Sequence, residues 1–212
     1  MKTGRAALLL VGGGVAAISL WWRRHPSACP YSQRFWVQAP HPFITRERLR
    51  EALAPAPGER ILEVGPGTGY YSLSVAEWIG PAGTLEIFDL QQEMLDHTTR
   101  AARERGLHNV VAIRGDAHSL PYEDDRFDAA YLVTVLGEIP DQELALGELA
   151  RVIAHGGRLV VGELFGDPHW VRFAVLRERA QRAGLRFDRR LGGPLGYFAR
   201  FISEPPSGGP SE

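Results

Sequence analysis

The amino-acid sequence predicts an α/β protein in which helices cover both faces of a doubly wound, mostly parallel β-sheet. Three observations support this fold class. Short apolar runs alternate with longer amphipathic stretches from residue 60 onward, and glycine or proline separates most of them. The run over 127–133 is nearly continuous in apolar residues, as an internal parallel strand is. Regular alternation of strands and helices then indicates a parallel sheet.

The elements follow one another in a regular order. Thr45 caps a short helix that ends at Leu53, before Pro55, Pro57 and Gly58. Strands are predicted over 61–64, 84–88, 110–113, 127–133, 158–162, 185–189 and 197–202. Longer helices are predicted over 70–79, 91–105, 141–153 and 168–183.

Length and composition fit one globular domain with a short appendage. The chain has 212 residues and a formal net charge of −1, so the basic excess that is typical of nucleic-acid binding is missing. Cys29 is the single cysteine, which excludes an intrachain disulfide and a cysteine-based metal site. No cluster of ligand residues has the spacing of a metal site, so we predict no metal.

The first 25 residues differ in kind from the rest. Lys2 and Arg5 precede an uncharged, apolar run over 6–22, and Arg23 and Arg24 follow it. As a helix these residues span about 26 Å, slightly less than the roughly 30 Å hydrocarbon core of a bilayer. We interpret the run as a membrane anchor. A cleaved signal peptide and a buried or frayed helix are the alternatives.

These observations divide the chain into four parts. Residues 1–25 form the anchor or apolar N-terminal helix, and residues 26–58 form a connector rich in aromatic residues and proline, with the short cap helix. Residues 59–203 form the main domain. Residues 204–212 are rich in proline, glycine and serine and are predicted to be disordered.

A glycine-rich turn follows the first predicted strand. Gly65, Gly67 and Gly69 leave no side chain between the backbone and a ligand, and the next helix offers free amide groups there. Ligands of doubly wound sheets bind at this edge. Tyr70 stands where a dinucleotide-binding turn has its last glycine, and Glu63 before the turn suits a cationic ligand better than phosphates.

Two aspartates follow the next two strands. Asp89 ends the second strand, where a carboxylate can accept from both hydroxyls of a ribose, although it could also cap the helix that follows. Asp116, in the Gly-Asp-Ala sequence after the third strand, could accept from the exocyclic amine of an adenine. On its own it would more often be a turn residue.

Together these motifs resemble the class I S-adenosylmethionine-dependent methyltransferases of the ubiquinone/menaquinone-biosynthesis-like branch. The similarity extends over residues 59–165 and rests on four segments: LEVGPGTGYYS, LEIFDLQQEML, RGDAHSLPYEDDRFDAAYLV and LARVIAHGGRLVVGE. It implies a Rossmann-like, seven-stranded sheet of order 3-2-1-4-5-7-6 with the last strand antiparallel. It also implies S-adenosyl-L-methionine as the cofactor.

The resemblance assigns a role to each motif residue. The turn residues and the glutamate before them would contact the methionine portion: Glu63, Gly65, Pro66, Gly67 and Gly69. Asp89 would hold the ribose, and Leu90 and Met94 would flank the adenine. Asp116 and Ala117 would recognise the adenine edge, and Val133 would lie near the sulfonium.

The sequence departs from the family pattern after the fourth strand. Where many relatives carry a histidine pair, this chain has LVTVLGEIPD, with Gly137 and Glu138. Glu138 is a candidate general base or substrate-positioning residue, or alternatively a solvent-facing or capping glutamate. Glu163, at the end of the fifth strand, is a second candidate for a catalytic or substrate role.

The resemblance implies methyl transfer to a small-molecule acceptor. The anchor and the aromatic segment over 26–42 favour an apolar or amphipathic acceptor, quinone-, lipid- or thiol-like, at the membrane. Because the cofactor is made in the cytoplasm, we expect the catalytic domain on that face. The alternatives are a non-catalytic S-adenosylmethionine-binding or scaffolding protein and a nicotinamide-dependent oxidoreductase. The sequence contains no feature that indicates an oligomeric state.

Overall fold

The structure is a computed structural model that describes residues 42–204. The predicted apolar N-terminal helix and all but the first residue of the predicted disordered tail lie outside the described residues. Among the helices of residues 42–204, none has the length and apolar character needed to cross a bilayer.

Seven strands form one sheet. They are Arg60–Val64 (β1), Thr84–Asp89 (β2), Val110–Arg114 (β3), Phe127–Val133 (β4), Ile153–Leu164 (β5), Leu185–Gly193 (β6) and Gly196–Ser203 (β7). Their order is β3-β2-β1-β4-β5-β7-β6. The first five strands pair in parallel, and β7 runs antiparallel to both β5 and β6. The predicted strand order and the antiparallel last strand are confirmed.

Within residues 42–204, five α-helices pack on this sheet. They are Arg46–Leu53 (α1), Ser72–Ile79 (α2), Gln92–Glu104 (α3), Gln142–Val152 (α4) and Phe173–Arg182 (α5). The side chain of Thr45 accepts a hydrogen bond from the Arg48 amide at the start of α1, at 3.3 Å. Asp141 caps α4 in the same way by accepting from the Leu144 amide, at 3.0 Å. Both caps satisfy backbone donors that have no partner inside the helix.

The central strands are buried on both faces. Alternate residues of β1 and β4 point to opposite sides, so Ile61 and Tyr131 join one apolar cluster while Leu62 and Leu132 join the other. All four side chains are fully buried. Near-continuous apolar sequence in these strands is therefore what a doubly covered parallel sheet requires.

Helix α1 belongs to the core of this domain. Ile44, Leu49 and Leu53 are fully buried against the sheet, and burial of each such side chain contributes about 1.5–3 kcal/mol. The hydroxyl of Tyr71 donates to the Ile44 carbonyl. At the other end of the helix, Arg158 donates to the Leu53 carbonyl and forms a salt bridge with Glu59.

One predicted helix boundary is wrong. The pattern predicts a helix from residue 168, but α5 begins at Phe173. The Val171 amide donates to a carboxylate oxygen of Glu163 at 3.0 Å, and the Val171 carbonyl accepts from the Tyr197 hydroxyl at 2.7 Å. Both backbone groups of Val171 are thus bound by side chains from the sheet, which keeps the segment before α5 from becoming helical.

Candidate active site

A cavity of about 370 Å³ opens at the carboxyl edge of the sheet. Its walls come from the segments that follow β1, β2, β3 and β4. The lining residues are Val64, Gly65, Gly67, Phe88, Asp89, Leu90, Gln91, Met94, Gly115, Asp116, Ala117, His118, Val133, Thr134, Val135, Glu138, Ile139 and Pro140. This is the edge at which doubly wound folds bind their ligands.

The turn after β1 requires its glycines. Gly65, Gly67 and Gly69 have φ angles of +74°, +55° and +83°, a region that side-chain-bearing residues rarely adopt. A Cβ on Gly65 would also overlap the side chain of Val135, and one on Gly69 would crowd Thr98 of α3. The turn therefore brings bare backbone to the cavity and holds it between α3 and the segment after β4.

Asp89 stands half-buried at the end of β2. Its Oδ1 accepts from the Gln91 amide at 2.8 Å and so holds the turn before α3, whose N-cap residue is Gln91 and not Asp89. Burial raises the pKa of its carboxyl, and the amide hydrogen bonds of Gln91 and Leu90 oppose that rise. Its second oxygen is available to accept from a ligand in the cavity that it lines.

Asp116 is held in place by His118. The backbone amide of His118 donates to Asp116 Oδ1 at 3.0 Å, and its Nδ1 lies 2.7 Å from the same oxygen. The other ring nitrogen, Nε2, accepts from the Asp141 amide at 3.2 Å. His118 thus links the segment after β3 to the start of α4. Because both bonds use Oδ1, Oδ2 of Asp116 is left for a ligand donor.

The opposite wall lies beyond the end of β4. Thr134 adopts a φ of +55°, which for a β-branched residue is a strained conformation. A short 3₁₀ turn, Leu136–Glu138, follows it and contributes the half-buried Glu138 to the cavity lining. Gly137 in this turn lies against the backbone of His169, where even a methyl group would overlap the carbonyl oxygen.

Two buried glutamates lie behind these walls. Glu63 and Glu163 are 3% and 1% exposed. Burial raises the pKa of Glu63 to about 7, and the hydroxyls of Ser72 and Tyr131 oppose this rise without reaching hydrogen-bond geometry. Burial likewise raises the pKa of Glu163 to about 8. Its Oε1 has no hydrogen-bond partner among the described residues.

The structure brings most of the predicted site residues together. Those that line the cavity are Gly65, Gly67, Asp89, Leu90, Met94, Asp116, Ala117, Val133 and Glu138. Glu63, Pro66, Gly69 and Glu163 are not among the lining residues. The binding and catalytic roles of both groups stay predictions.

Sequence reasoning missed His118 and Thr134. A histidine two residues after a loop aspartate can fold back onto that carboxylate, so His118 carried a weak signal in the sequence. Thr134 carried none, because threonine is uncommon in the left-handed region and nothing nearby indicates the turn.

The polar groups of the cavity suit a cationic nucleoside better than a dinucleotide. Asp89 and Asp116 offer acceptors for hydroxyl and amine groups, and His118 is the only basic side chain among the described lining residues. A pyrophosphate would find little positive charge here. The sheet order, the glycine turn and the two carboxylates fit an S-adenosylmethionine-dependent methyltransferase, with S-adenosylmethionine as the cofactor.

Residues 41–173 match the ubiE/COQ5 methyltransferase family, and the chain belongs to this family. It is 38% identical over 122 residues to an uncharacterized 37.1 kDa protein in transposon TN4556 of Streptomyces fradiae, covering 58% of this chain and 34% of that protein. It is 32% identical over 115 residues to a demethylmenaquinone methyltransferase of Geobacillus sp. (strain WCH70), covering 54% of this chain and 49% of the relative. The match thus spans half or less of these relatives.

Solved structures share the fold. A SAM-dependent methyltransferase from Aquifex aeolicus superposes with a TM-score of 0.76 at 19% identity, covering 83% of this chain and all of that one. The [4+2]-cyclase SpnF superposes with a TM-score of 0.62 at 30% identity, covering 69% of this chain and 57% of SpnF.

Proposed function

We propose that the protein transfers a methyl group from S-adenosylmethionine to a small, apolar or amphipathic acceptor of the quinone type in its reduced, hydroquinone form. The observation that carries this proposal is a single cavity with two kinds of wall. Asp89, Asp116 and the glycine turn line one side, and Val133, Val135 and Ile139 line the other, with Glu138 beside them. The demethylmenaquinone methyltransferases among the relatives favour a quinone over a lipid or a thiol.

The first wall suits the cofactor, which supplies an electrophilic methyl group on a positively charged sulfur. Asp89 would accept from the ribose hydroxyls through its second oxygen, and Oδ2 of Asp116 would accept from the adenine amine. The turn Gly65–Gly67 would let the methionine portion approach the backbone. Held in this way, the methyl group needs only an aligned nucleophile, and alignment supplies much of the acceleration.

The second wall suits the acceptor. Apolar side chains at Val135, Ile139 and Pro140 would pack on a ring, and the Glu138 carboxylate would accept the proton of a ring hydroxyl. Loss of this proton makes the ring carbon beside the hydroxyl a stronger nucleophile. That carbon forms the new bond to the methyl group, the sulfur keeps the bonding electrons, and the ring hydrogen leaves as a second proton.

We also propose that this reaction takes place at a membrane, with the catalytic domain on the cytoplasmic face. The support is the uncharged run over 6–22 with two arginines after it, together with the apolar character of a quinone. Synthesis of the cofactor in the cytoplasm favours a cavity on that side.

A transfer assay tests the proposal. The full chain is incubated with methyl-labelled S-adenosylmethionine and, separately, a hydroquinone, a thiol and a phospholipid. We expect label in the hydroquinone. Glu138→Gln should lower kcat about 100-fold while S-adenosylhomocysteine binds as tightly as before. Label in the thiol or phospholipid instead would refute the acceptor class.

A second candidate function is binding of the cofactor without methyl transfer. The likeness to the [4+2]-cyclase SpnF favours this alternative, because a fold of this kind also occurs in a protein named for other chemistry. Tight binding of S-adenosylhomocysteine with no label in any acceptor would support it and contradict the proposed reaction.

A further inference from the structure

Three large apolar side chains stand exposed at one corner of the domain. Phe43, Phe165 and Leu195 have exposed fractions of 40%, 56% and 47%. They come from three separate segments: the start of the described chain, the segment after β5, and the β6–β7 turn. We refer to these three residues as the docking patch.

The docking patch is continuous. The Phe165 amide donates to the Leu195 carbonyl at 3.1 Å, which joins the second and third segments. A Cβ built on Gly196 would lie 2.6 Å from the Cβ of Phe43, so Phe43 packs directly on the β6–β7 turn. The ring of Trp170 meets that of Phe165 edge-on with centroids 5.3 Å apart. A contiguous apolar surface of this kind usually marks an interaction site, whereas single exposed apolar residues do not.

The docking patch lies on the same edge of the sheet as the cavity. Phe165 directly follows β5, which runs parallel to β4 and ends beside it, with Val133 opposite Gly162. The segment that carries Phe165 continues to His169, which packs against Gly137 in the cavity wall. A flat surface that covers the patch would therefore face the mouth from which an acceptor enters.

Positive charge borders the docking patch on two sides. Arg48 donates to the Phe43 carbonyl at 2.6 Å, and Arg190 donates to the Gly193 carbonyl at 2.9 Å. Within residues 42–204 neither guanidinium forms a salt bridge with a carboxylate, and that of Arg190 also stacks over the rings of Phe173 and Tyr197, at 4.8 and 4.9 Å from their centroids. Asp167 is the acidic group of the neighbouring segment, and burial raises the pKa of its carboxyl. Apolar side chains flanked by guanidinium groups suit the interface of an anionic bilayer.

The position of residues 1–41 also favours a lipid surface as the partner of the docking patch. Residues 1–41 include the uncharged run over 6–22, and they join the domain at the docking patch itself. If that run associates with a membrane, as proposed above, only residues 23–42 separate the bilayer from the patch. A tether of this length keeps the patch at a high effective concentration near the lipid.

We infer that the docking patch binds the surface of an anionic lipid bilayer, with Phe165 and Leu195 inserted at the interface and Arg48 and Arg190 at the head groups. This inference rests on the proposed membrane location. It goes further because it names the face of the domain that contacts the lipid. With that face on the bilayer, the cavity mouth is directed toward the lipid in which an apolar acceptor dissolves.

Hydrogen exchange on the full chain tests the inference at the patch. Peptides that cover Phe165 and Leu195 are followed with and without vesicles of phosphatidylcholine that contain phosphatidylglycerol. We expect vesicles to protect these peptides and to leave those of β3 unchanged. The double variant Phe165→Ser/Leu195→Ser should lose the protection at these peptides, although residues 1–41 still hold the protein on the vesicles. Leu144→Ser, which changes an exposed leucine of α4, is the matched control and should behave like the unaltered chain.

Two results would overturn the inference. In one, vesicles bind the protein but exchange at the patch does not change, so that residues 1–41 alone bind the lipid. In the other, the patch is protected without vesicles and becomes exposed when residues 1–41 are removed, so that the chain itself covers it. The proposed reaction is judged separately, since transfer to a water-soluble hydroquinone and binding of S-adenosylhomocysteine need no vesicle and should persist in the double variant.

Discussion

The two ends of the cavity are built in different ways. At the proposed cofactor end, after β1, β2 and β3, the ligand-facing groups are bare backbone and two carboxylates whose second oxygens remain available. At the proposed acceptor end, after β4, the wall consists of packed side chains and a strained threonine, and Glu163, whose pKa burial raises to about 8, lies buried behind it. The first end is defined by short sequence motifs, and the second by how distant segments pack together.

The two ends should therefore respond differently to substitution. A change at the cofactor end alters a direct contact with a molecule whose chemistry is fixed. A change at the acceptor end alters a packing arrangement, so it affects folding stability and acceptor selection together. Substitutions at the first end should change the affinity for the cofactor, whereas substitutions at the second end should change the free energy of unfolding and the turnover of the acceptor.

The largest effect is expected for Gly137→Ala at the acceptor end. The new methyl group overlaps the His169 carbonyl, so the segment before α5 must shift, at a cost of about 3 kcal/mol in the free energy of unfolding. Turnover should fall while S-adenosylhomocysteine still binds. Gly147→Ala in α4, where a Cβ meets open space, is the matched control for denaturant unfolding. Equal stability of the two variants would contradict the described packing.

Asp89→Ala should act on cofactor binding alone. Loss of the carboxylate proposed to accept from ribose hydroxyls should weaken S-adenosylhomocysteine binding by about 2 kcal/mol, roughly 30-fold, in calorimetric titration. Asp96→Ala, on the exposed face of α3, should bind as the unaltered chain does. If Asp89→Ala also bound normally, Asp89 would serve only to hold the turn before α3.

The pH dependence of stability should reveal Glu163. Its pKa in the folded state, about 8, lies above that of an exposed glutamate, so the folded chain holds a proton that the unfolded chain loses above about pH 4.3. The free energy of unfolding should therefore fall as the pH rises from about 5 to 8. Glu163→Gln should remove roughly 2 kcal/mol of the fall between pH 6 and 8, measured by urea unfolding. An unchanged slope would contradict a protonated Glu163.

The smallest effect is expected for His118→Ala, which removes a support rather than a ligand contact. Binding of S-adenosylhomocysteine should weaken about fivefold, close to the value of one hydrogen bond. The inosine analogue, which lacks the adenine amine, should bind the variant and the unaltered chain equally well. His155→Ala, beside Asp125 on the surface, is the control. A loss of the same size with the inosine analogue would show that His118 does not act through Asp116.

Features formed by short local motifs could be predicted from the sequence, whereas features formed by the packing of separate segments could not. The glycine turn, Asp89 and Asp116 lie at the ends of strands whose apolar runs are plain, so the cavity position followed from local patterns, whereas the strand order was implied by the family resemblance. The early boundary predicted for α5 failed because Glu163 and Tyr197, which lie on two strands of the sheet, bind the backbone of Val171. Glu138 could be named as a candidate, but its place in the wall depends on Gly137 and His169, which no local pattern relates.

The antiparallel course of β7 has a practical consequence for handling the protein. Gly196 pairs with Leu164 at the edge of the sheet that carries the cavity, whereas Ile202 pairs with Arg158 at the opposite edge. Phe43 packs at the first of these, so the two ends of the described chain leave the domain on opposite sides. An affinity tag or reporter joined directly before residue 42 would share an edge of the sheet with the cavity, while one attached after residue 204 would lie at the opposite edge.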